Sequence, residues 1–252
     1  MFALVTGASS GIGFEISKYL SNNKGYDIIA VGQNISKLQN LKKVCKTNVI
    51  IESIDLTDKN NCINLYEKYK DKKVDILINS AGIGAIGEFK DIPILKDIEL
   101  INLNVIAAHI LTKLFLEDML KRNSGYILNV ASSAAFAPGP LMATYYSTKS
   151  YILKLSSSIN KEIRKKRSKV VVSVLCPGPV KTDFNDRLNI NYSVKPLLAE
   201  HVAKYSIDKL LKGKSIVIPG FKNKIGVFAS KILPRYILEE YIYNMQSNKL
   251  KR

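Results

Sequence analysis

The chain has 252 residues, 46% of them hydrophobic, and a formal net charge of +17. That length suits one undivided α/β core, and the composition is that of a soluble globular protein. No run reaches the roughly 18 consecutive apolar residues of a membrane span, and Met1 leads straight into FALVTG without the basic and apolar regions of a signal peptide.

Three cysteines (Cys45, Cys62, Cys176) stand at unrelated spacings. They read as reduced thiols of a cytoplasmic protein with no metal-ligand pattern, Cys176 as a small core residue. Nucleic acid, anionic lipid, an acidic carrier and a phosphorylated cofactor could each account for the charge. The basic residues are spread along the chain, and the densest run, KEIRKKRSK at 161–169, has no interleaved aromatics. It reads as a solvated surface, and no nucleic-acid partner is expected.

Strand and helix patterns alternate from the start. Residues 2–6 are apolar, 14–20 have helical spacing, 27–31 are apolar, and 36–44 are helical with Ser36 as a cap. A third strand spans 49–54, a helix 60–70, and VDILIN at 74–79 is a fourth strand. One long helix is predicted over 96–122, a strand at 125–132, a helix at 144–163 and a strand at 170–176. Residues 199–211 form a helix, and SIVIP a short last strand. Fully apolar strands alternating with helices predict a doubly wound, Rossmann-like parallel sheet of about seven strands, covered on both faces. The whole chain, 1–252, reads as one domain.

TGASSGIG, Thr6 to Gly13, follows the first strand and opens the first helix. In that context Gly7 permits a sharp turn, while Gly11 and Gly13 let backbone and helix approach a pyrophosphate at the helix N-terminus. Further on, YYSTK offers two tyrosines. Tyr145 and Tyr146 lie four and three residues before Lys149, and both spacings share a helix face. A phenol near an ammonium can exchange protons closer to neutrality than its usual pKa of about 10. Spacing alone leaves both tyrosines open.

The glycine turn resembles that of the short-chain dehydrogenase/reductase family. So do DLT (55–57), NSAG (79–82), LINLNVIA with Asn104, NVASS with Ser132, YYSTK, and PGPVKT (177–182), in the family's order over about residues 1–185. The resemblance selects Tyr145, because the family pattern is Tyr-x-x-x-Lys, with a serine thirteen residues before the tyrosine, here Ser132. It implies a carbonyl oxidoreductase. Ser132 would orient the substrate oxygen, and Tyr145 would exchange its proton. Lys149 would lower the Tyr145 pKa and hold the nicotinamide ribose. Asn104 would position a relay water. It implies further that Gly7, Ser9, Ser10, Gly11, Ile12, Gly13, Gln33, Asp55, Leu56, Asn79, Ala81, Gly82, Pro177, Gly178, Val180 and Thr182, with Tyr145 and Lys149, contact the cofactor.

The second strand ends in Gly32, where NAD enzymes commonly carry a carboxylate for the ribose. Its absence favours NADP over NAD, with Gln33, Asn34 and Lys37 as donors to a 2′-phosphate. Residues 183–200 read as a substrate lid loop. Phe136, Leu141, Met142, Phe184 and Leu188 predict an apolar pocket for a hydrophobic ketone or aldehyde. Residues 221–252 form a basic amphipathic extension broken at Pro234. It reads as a helical pair packed on the domain or on a partner subunit, with a weak membrane-surface contact as the alternative. On family grounds the chain is a homodimer or homotetramer, its contacts on the 96–122 helix (with His109) and on the helix of Tyr145. Rival functions are reduction of 3-oxoacyl thioesters on an acyl carrier and a nucleotide sensor without turnover.

Overall fold

The first strand shows why this sheet is covered on both faces. In β1 (Phe2–Thr6), Ala3 and Val5 enter one apolar core and Leu4 the other, all fully buried. The computed structural model, which describes residues 1–188 and 195–250, repeats this pattern along the sheet. The further strands are β2 (Asp27–Gly32), β3 (Val49–Ser53), β4 (Val74–Asn79), β5 (Tyr126–Val130), β6 (Val171–Leu175), β7 (Val180–Lys181), β8 (Leu197–Leu198) and β9 (Ile216–Val217). Seven of them form one parallel sheet in the order β3-β2-β1-β4-β5-β6-β9.

The helices are α1 (Gly11–Lys24), α2 (Ile35–Val44), α3 (Lys59–Tyr69), α4 (Ile94–Ile101), α5 (Ala108–Lys121), α6 (Ala143–Lys165), α7 (Asp183–Arg187), α8 (Ala199–Leu211), α9 (Phe221–Ile232) and α10 (Arg235–Leu250). Ile16 and Leu20 of α1, Leu38 of α2 and Ile207 of α8 fill one core. Leu65 of α3, Leu111 and Phe115 of α5 and Ile163 of α6 fill the other. The chain leaves β1 toward β2 on one side and later returns to β4 on the other. Such a reversal of winding opens a crevice at the strand C-termini, and the functional side chains gather there.

Four local expectations change. The cap of α2 is Asn34, whose Oδ1 accepts from the Lys37 N–H at 2.9 Å; Ser36 sits inside the first turn and donates to the same oxygen. The helix expected over 96–122 begins at Ile94, after extended Pro93, and passes through a π turn at Asn102–Ala107. The 28-residue run Ile94–Lys121 is long and apolar enough to cross a membrane. Here it instead lays Leu100, Leu111, Phe115 and Met119 against the protein core. In the expected lid loop, residues 183–187 are helical, and β8 pairs with β7 in a separate two-stranded ladder; residues 189–194 lie outside the described part.

Candidate active site

Thr6 closes β1 and fastens the phosphate turn. Its Oγ1 accepts from the N–H groups of Ser80 (3.1 Å) and Ala81 (3.2 Å), which tie the turn after β1 to the end of β4. Gly7 follows with φ +68°, and a Cβ there would lie 2.8 Å from Ala81 N. At Gly13 a Cβ would lie 2.3 Å from the Gly7 carbonyl oxygen, so this glycine lets α1 rest on the turn. The N-cap residue of α1, Ser10, makes no side-chain cap bond. The first-turn N–H groups and the helix dipole therefore face the crevice uncompensated, as a pyrophosphate requires.

The crevice is a cavity of about 530 Å³. At one end it is walled by Gln33, Asn34, Lys37, Leu56 and Thr57, and no carboxylate stands among these five residues. Asp55 stands behind it. Its carboxylate accepts from the Thr57 N–H (3.0 Å) and Oγ1 (2.8 Å) and from Gln33, and the Thr57 N–H is the main cause that holds its pKa below the usual value. Lys37 Nζ lies 2.6 Å from Asp183 Oδ2 of α7, so one ion pair joins this end of the cavity to α7.

At the other end Ser132, Tyr145 and Lys149 line the same cavity. Ser132 caps the 3-10 turn Ser133–Phe136 by accepting from the Ala134 N–H at 3.1 Å, which leaves its own proton for the Tyr145 phenol. Burial pushes the Tyr145 pKa up to about 12, against the lowering effect of that hydrogen bond. Lys149 Nζ donates to the Val130 carbonyl at 3.0 Å and lies 5.8 Å from the Tyr145 ring centroid. Burial pushes its pKa down to about 8, so most of it is still an ammonium at neutral pH. The expected lowering of the tyrosine by the lysine is not seen: the group that lowers the Tyr145 value is Ser132, and desolvation of the phenol outweighs it.

Asn104 sits in the π turn and is buried. Its Oδ1 accepts from the Ile83 N–H and its Nδ2 donates to the Ile83 carbonyl, both at 2.9 Å; Nδ2 also reaches Thr148 Oγ1 at 3.2 Å. A Cβ on Gly82 would lie 3.1 Å from Asn104 Oδ1 and 3.3 Å from Lys149 Nζ. Asn104 thus clamps the 82–83 loop to α6 beside the lysine, as a positioning residue.

Tyr146 points elsewhere. Its phenol accepts from Gln246 Nε2 of α10 at 2.7 Å, and it packs with Met142, Leu238 and Ile242. The question left open by spacing is answered by partners: Tyr145 has the serine, Tyr146 the glutamine.

Of the residues expected at the cofactor or the chemistry, sixteen line the cavity and four do not: Gly13, Asp55, Asn79 and Asn104. Asn79 lies in a buried network with Asn129 (2.8 Å) and Thr112 (3.0 Å), because its side chain turns toward α5 rather than the crevice. Sequence reasoning missed Met245, Gln246 and Lys249, which wall the cavity from α10. The available signal was Leu238, Ile242 and Gln246 at four-residue spacing, a polar residue on an apolar face. Burial lowers the Lys249 pKa. Thr6 was also missed as the clamp of the glycine turn.

The short chain dehydrogenase family profile matches residues 1–193. The 3-oxoacyl-[acyl-carrier-protein] reductase FabG of Rickettsia conorii is 34% identical over 191 residues, 74% of this chain and 76% of that protein. Two solved structures share the fold. One is a short-chain dehydrogenase from Sphingobium yanoikuyae in complex with NADPH (TM-score 0.81, 24% identity, covering 91% of this chain and 92% of that one). The other is a short chain dehydrogenase/reductase from Burkholderia phymatum in complex with NAD (TM-score 0.80, 21% identity, 90% and 91%). Proton-handling side chains beside a dinucleotide-shaped crevice set aside a sensor without turnover, and the chain belongs to the short-chain dehydrogenase/reductase family, as an oxidoreductase that interconverts CH–OH and C=O with a nicotinamide cofactor.

Proposed function

We propose that this enzyme reduces a hydrophobic ketone or aldehyde with NADPH in the cytoplasm. The observation that carries the reading is the wall around Tyr145. The Phe184 ring stands 5.5 Å from the Tyr145 ring, and Met142, Tyr146, Ile242 and Leu188 close around it. Such a surface favours apolar bulk next to the reacting carbonyl.

The chain's own residues divide the work as follows. Gly7, Gly11 and the α1 N-terminus would hold the pyrophosphate; Pro177, Gly178, Val180 and Thr182 line the cavity where the nicotinamide would lie. Bound there, the cofactor supplies the hydride. Ser132 donates to the carbonyl oxygen and orients it. Tyr145 gives its phenolic proton to the oxygen as negative charge develops. Lys149 stabilises the resulting phenolate through its ammonium. The apolar walls exclude water while this proton moves.

NADPH is preferred over NADH in this reading because the adenosine wall presents Gln33, Asn34 and Lys37 and, among the described residues that line it, no carboxylate. Three free thiols suit a reducing compartment. Exposed Ile94, Leu95 and Ile98 on α4, together with the His109–Tyr151 contact at 2.8 Å between α5 and α6, suit a homodimer or homotetramer built on those helices. A second substrate reading, a 3-oxoacyl thioester on an acidic carrier, is favoured by the Rickettsia relative and by the +17 charge. Titrating the protein's effect on nicotinamide fluorescence with NADPH and NADH in parallel tests the cofactor. Turnover of bulky ketones against an acyl thioester then tests the substrate. Tighter binding of NADH, or turnover confined to the thioester, would replace the reading.

A further inference from the structure

α9 carries two faces of opposite kind. Asn223, Val227 and Ser230 turn inward, where Asn223 fits against Gly178 closely enough that a Cβ on that glycine would lie 2.2 Å from its Oδ1. Diametrically opposite, Phe221, Ile225, Phe228 and Ile232 follow at spacings of four, three and four, which make one stripe along a helix. These four side chains are between 52% and 77% exposed, and the core has no use for them. Tyr236, in the first turn of α10, is 73% exposed as well. Contiguous exposed apolar surface of this kind marks a contact site.

The flanks identify the occupant. At 100° per residue Lys222 falls on one side of the stripe and Lys224 and Lys231 on the other. The helix contains no acidic residue, and among the described residues these lysines form no ion pair. A second copy docked stripe to stripe would bring two sets of lysines together without counter-charge. An anionic lipid surface accepts both features: the apolar stripe enters the acyl boundary while the lysines extend to the headgroups.

We propose that α9 is an interfacial anchor that docks the enzyme on an anionic membrane surface. The inner face of α9 rests on the Ser133–Phe136 turn and on Gly178, which borders the cavity. Docking therefore holds the active site about one helix diameter, some 10 Å, from the lipid, where hydrophobic carbonyl compounds partition.

The test is co-sedimentation of the full chain with vesicles of phosphatidylcholine alone and of phosphatidylcholine with phosphatidylglycerol, alongside light scattering for oligomeric state. The expected result is binding to the anionic vesicles, reduced by salt, and at least about tenfold weaker in Phe228→Asp. Lys224→Gln/Lys231→Gln should weaken it several-fold. Unchanged circular dichroism and NADPH binding in the variants would show that they fold. Absence of binding, equal binding to neutral vesicles, or unaltered binding by Phe228→Asp would overturn the proposal. So would an oligomer that dissociates in Phe228→Asp without any vesicle binding, since the stripe would then belong to a second copy.

Discussion

Gln246 donates its side-chain amide to the phenol of Tyr146 at 2.7 Å across 100 residues of sequence, and so fastens the last helix beside Tyr145. The glutamine is buried, and its Oε1 has no partner among the described residues. Replacing Gln246 by Leu leaves the phenol's acceptor unpaired and frees α10 from the pocket wall. The expected outcome is a several-fold rise in KM for bulky ketones with kcat for a small ketone little changed, and a loss of about 1–2 kcal/mol in urea unfolding. A parallel drop in kcat for all substrates would show a different role.

Thr6 makes a prediction about the phosphate turn. Thr6→Val preserves shape but strips the oxygen that accepts from the Ser80 and Ala81 N–H groups. Two backbone donors lose their partner, at a cost of about 2–4 kcal/mol. Cofactor affinity should fall as well, because Gly7 packs on Ala81. Denaturant unfolding and a nicotinamide titration measure the two effects.

The buried ammonium of Lys149 predicts a pH signature. Its pKa is about 8 in the fold against an ordinary 10.5. Below pH 8 the group is charged both folded and unfolded, and its burial opposes folding. Between about 8 and 10.5 the folded chain has already released the proton while the unfolded chain still binds it, so stability rises with pH across that window. Lys149→Met removes a penalty of order 3 kcal/mol at pH 7. The variant also loses the 3.0 Å bond to the Val130 carbonyl at every pH, so the readout is the pH dependence: its stability relative to the wild type should fall between about pH 8 and 10.5, while turnover is abolished. A stability difference that stays constant across that window would contradict desolvation of the ammonium.

Lys37 bears on cofactor choice. It lines the cavity beside Gln33 and Asn34, where the adenosine is proposed to bind, and lies 2.6 Å from Asp183. Lys37→Ala should weaken NADPH binding about tenfold, the scale of one charge-assisted hydrogen bond, and leave NADH nearly unchanged. Equal loss for both cofactors would place the 2′-phosphate elsewhere.

The strands were legible because a parallel sheet buried on both faces needs uninterrupted apolar runs, and β1 and β4 have the bounds read from FALVT and VDILIN. The glycine turn and the Tyr–Lys pair were legible because each compresses its chemistry into a few adjacent residues. The role of α10 was hidden, since Gln246 meets Tyr146 only through the tertiary fold. So was the π turn at Asn104: its register depends on the long-range bonds from Asn104 to Ile83 and Thr148, which no local pattern encodes. Asn79 sits in a motif expected at the cofactor, but β4 turns its side chain into the buried network with Asn129.

Tyr145, and not its neighbour Tyr146, is proposed as the proton donor. The most direct measurement follows the absorbance of reduced nicotinamide during ketone reduction by the wild type, Tyr145→Phe and Tyr146→Phe, with cofactor affinity measured on each. The expected result is a kcat loss of about 10²- to 10⁴-fold in Tyr145→Phe with cofactor binding retained, and turnover by Tyr146→Phe within a few-fold of wild type. Turnover preserved in Tyr145→Phe, or lost only in Tyr146→Phe, would contradict it.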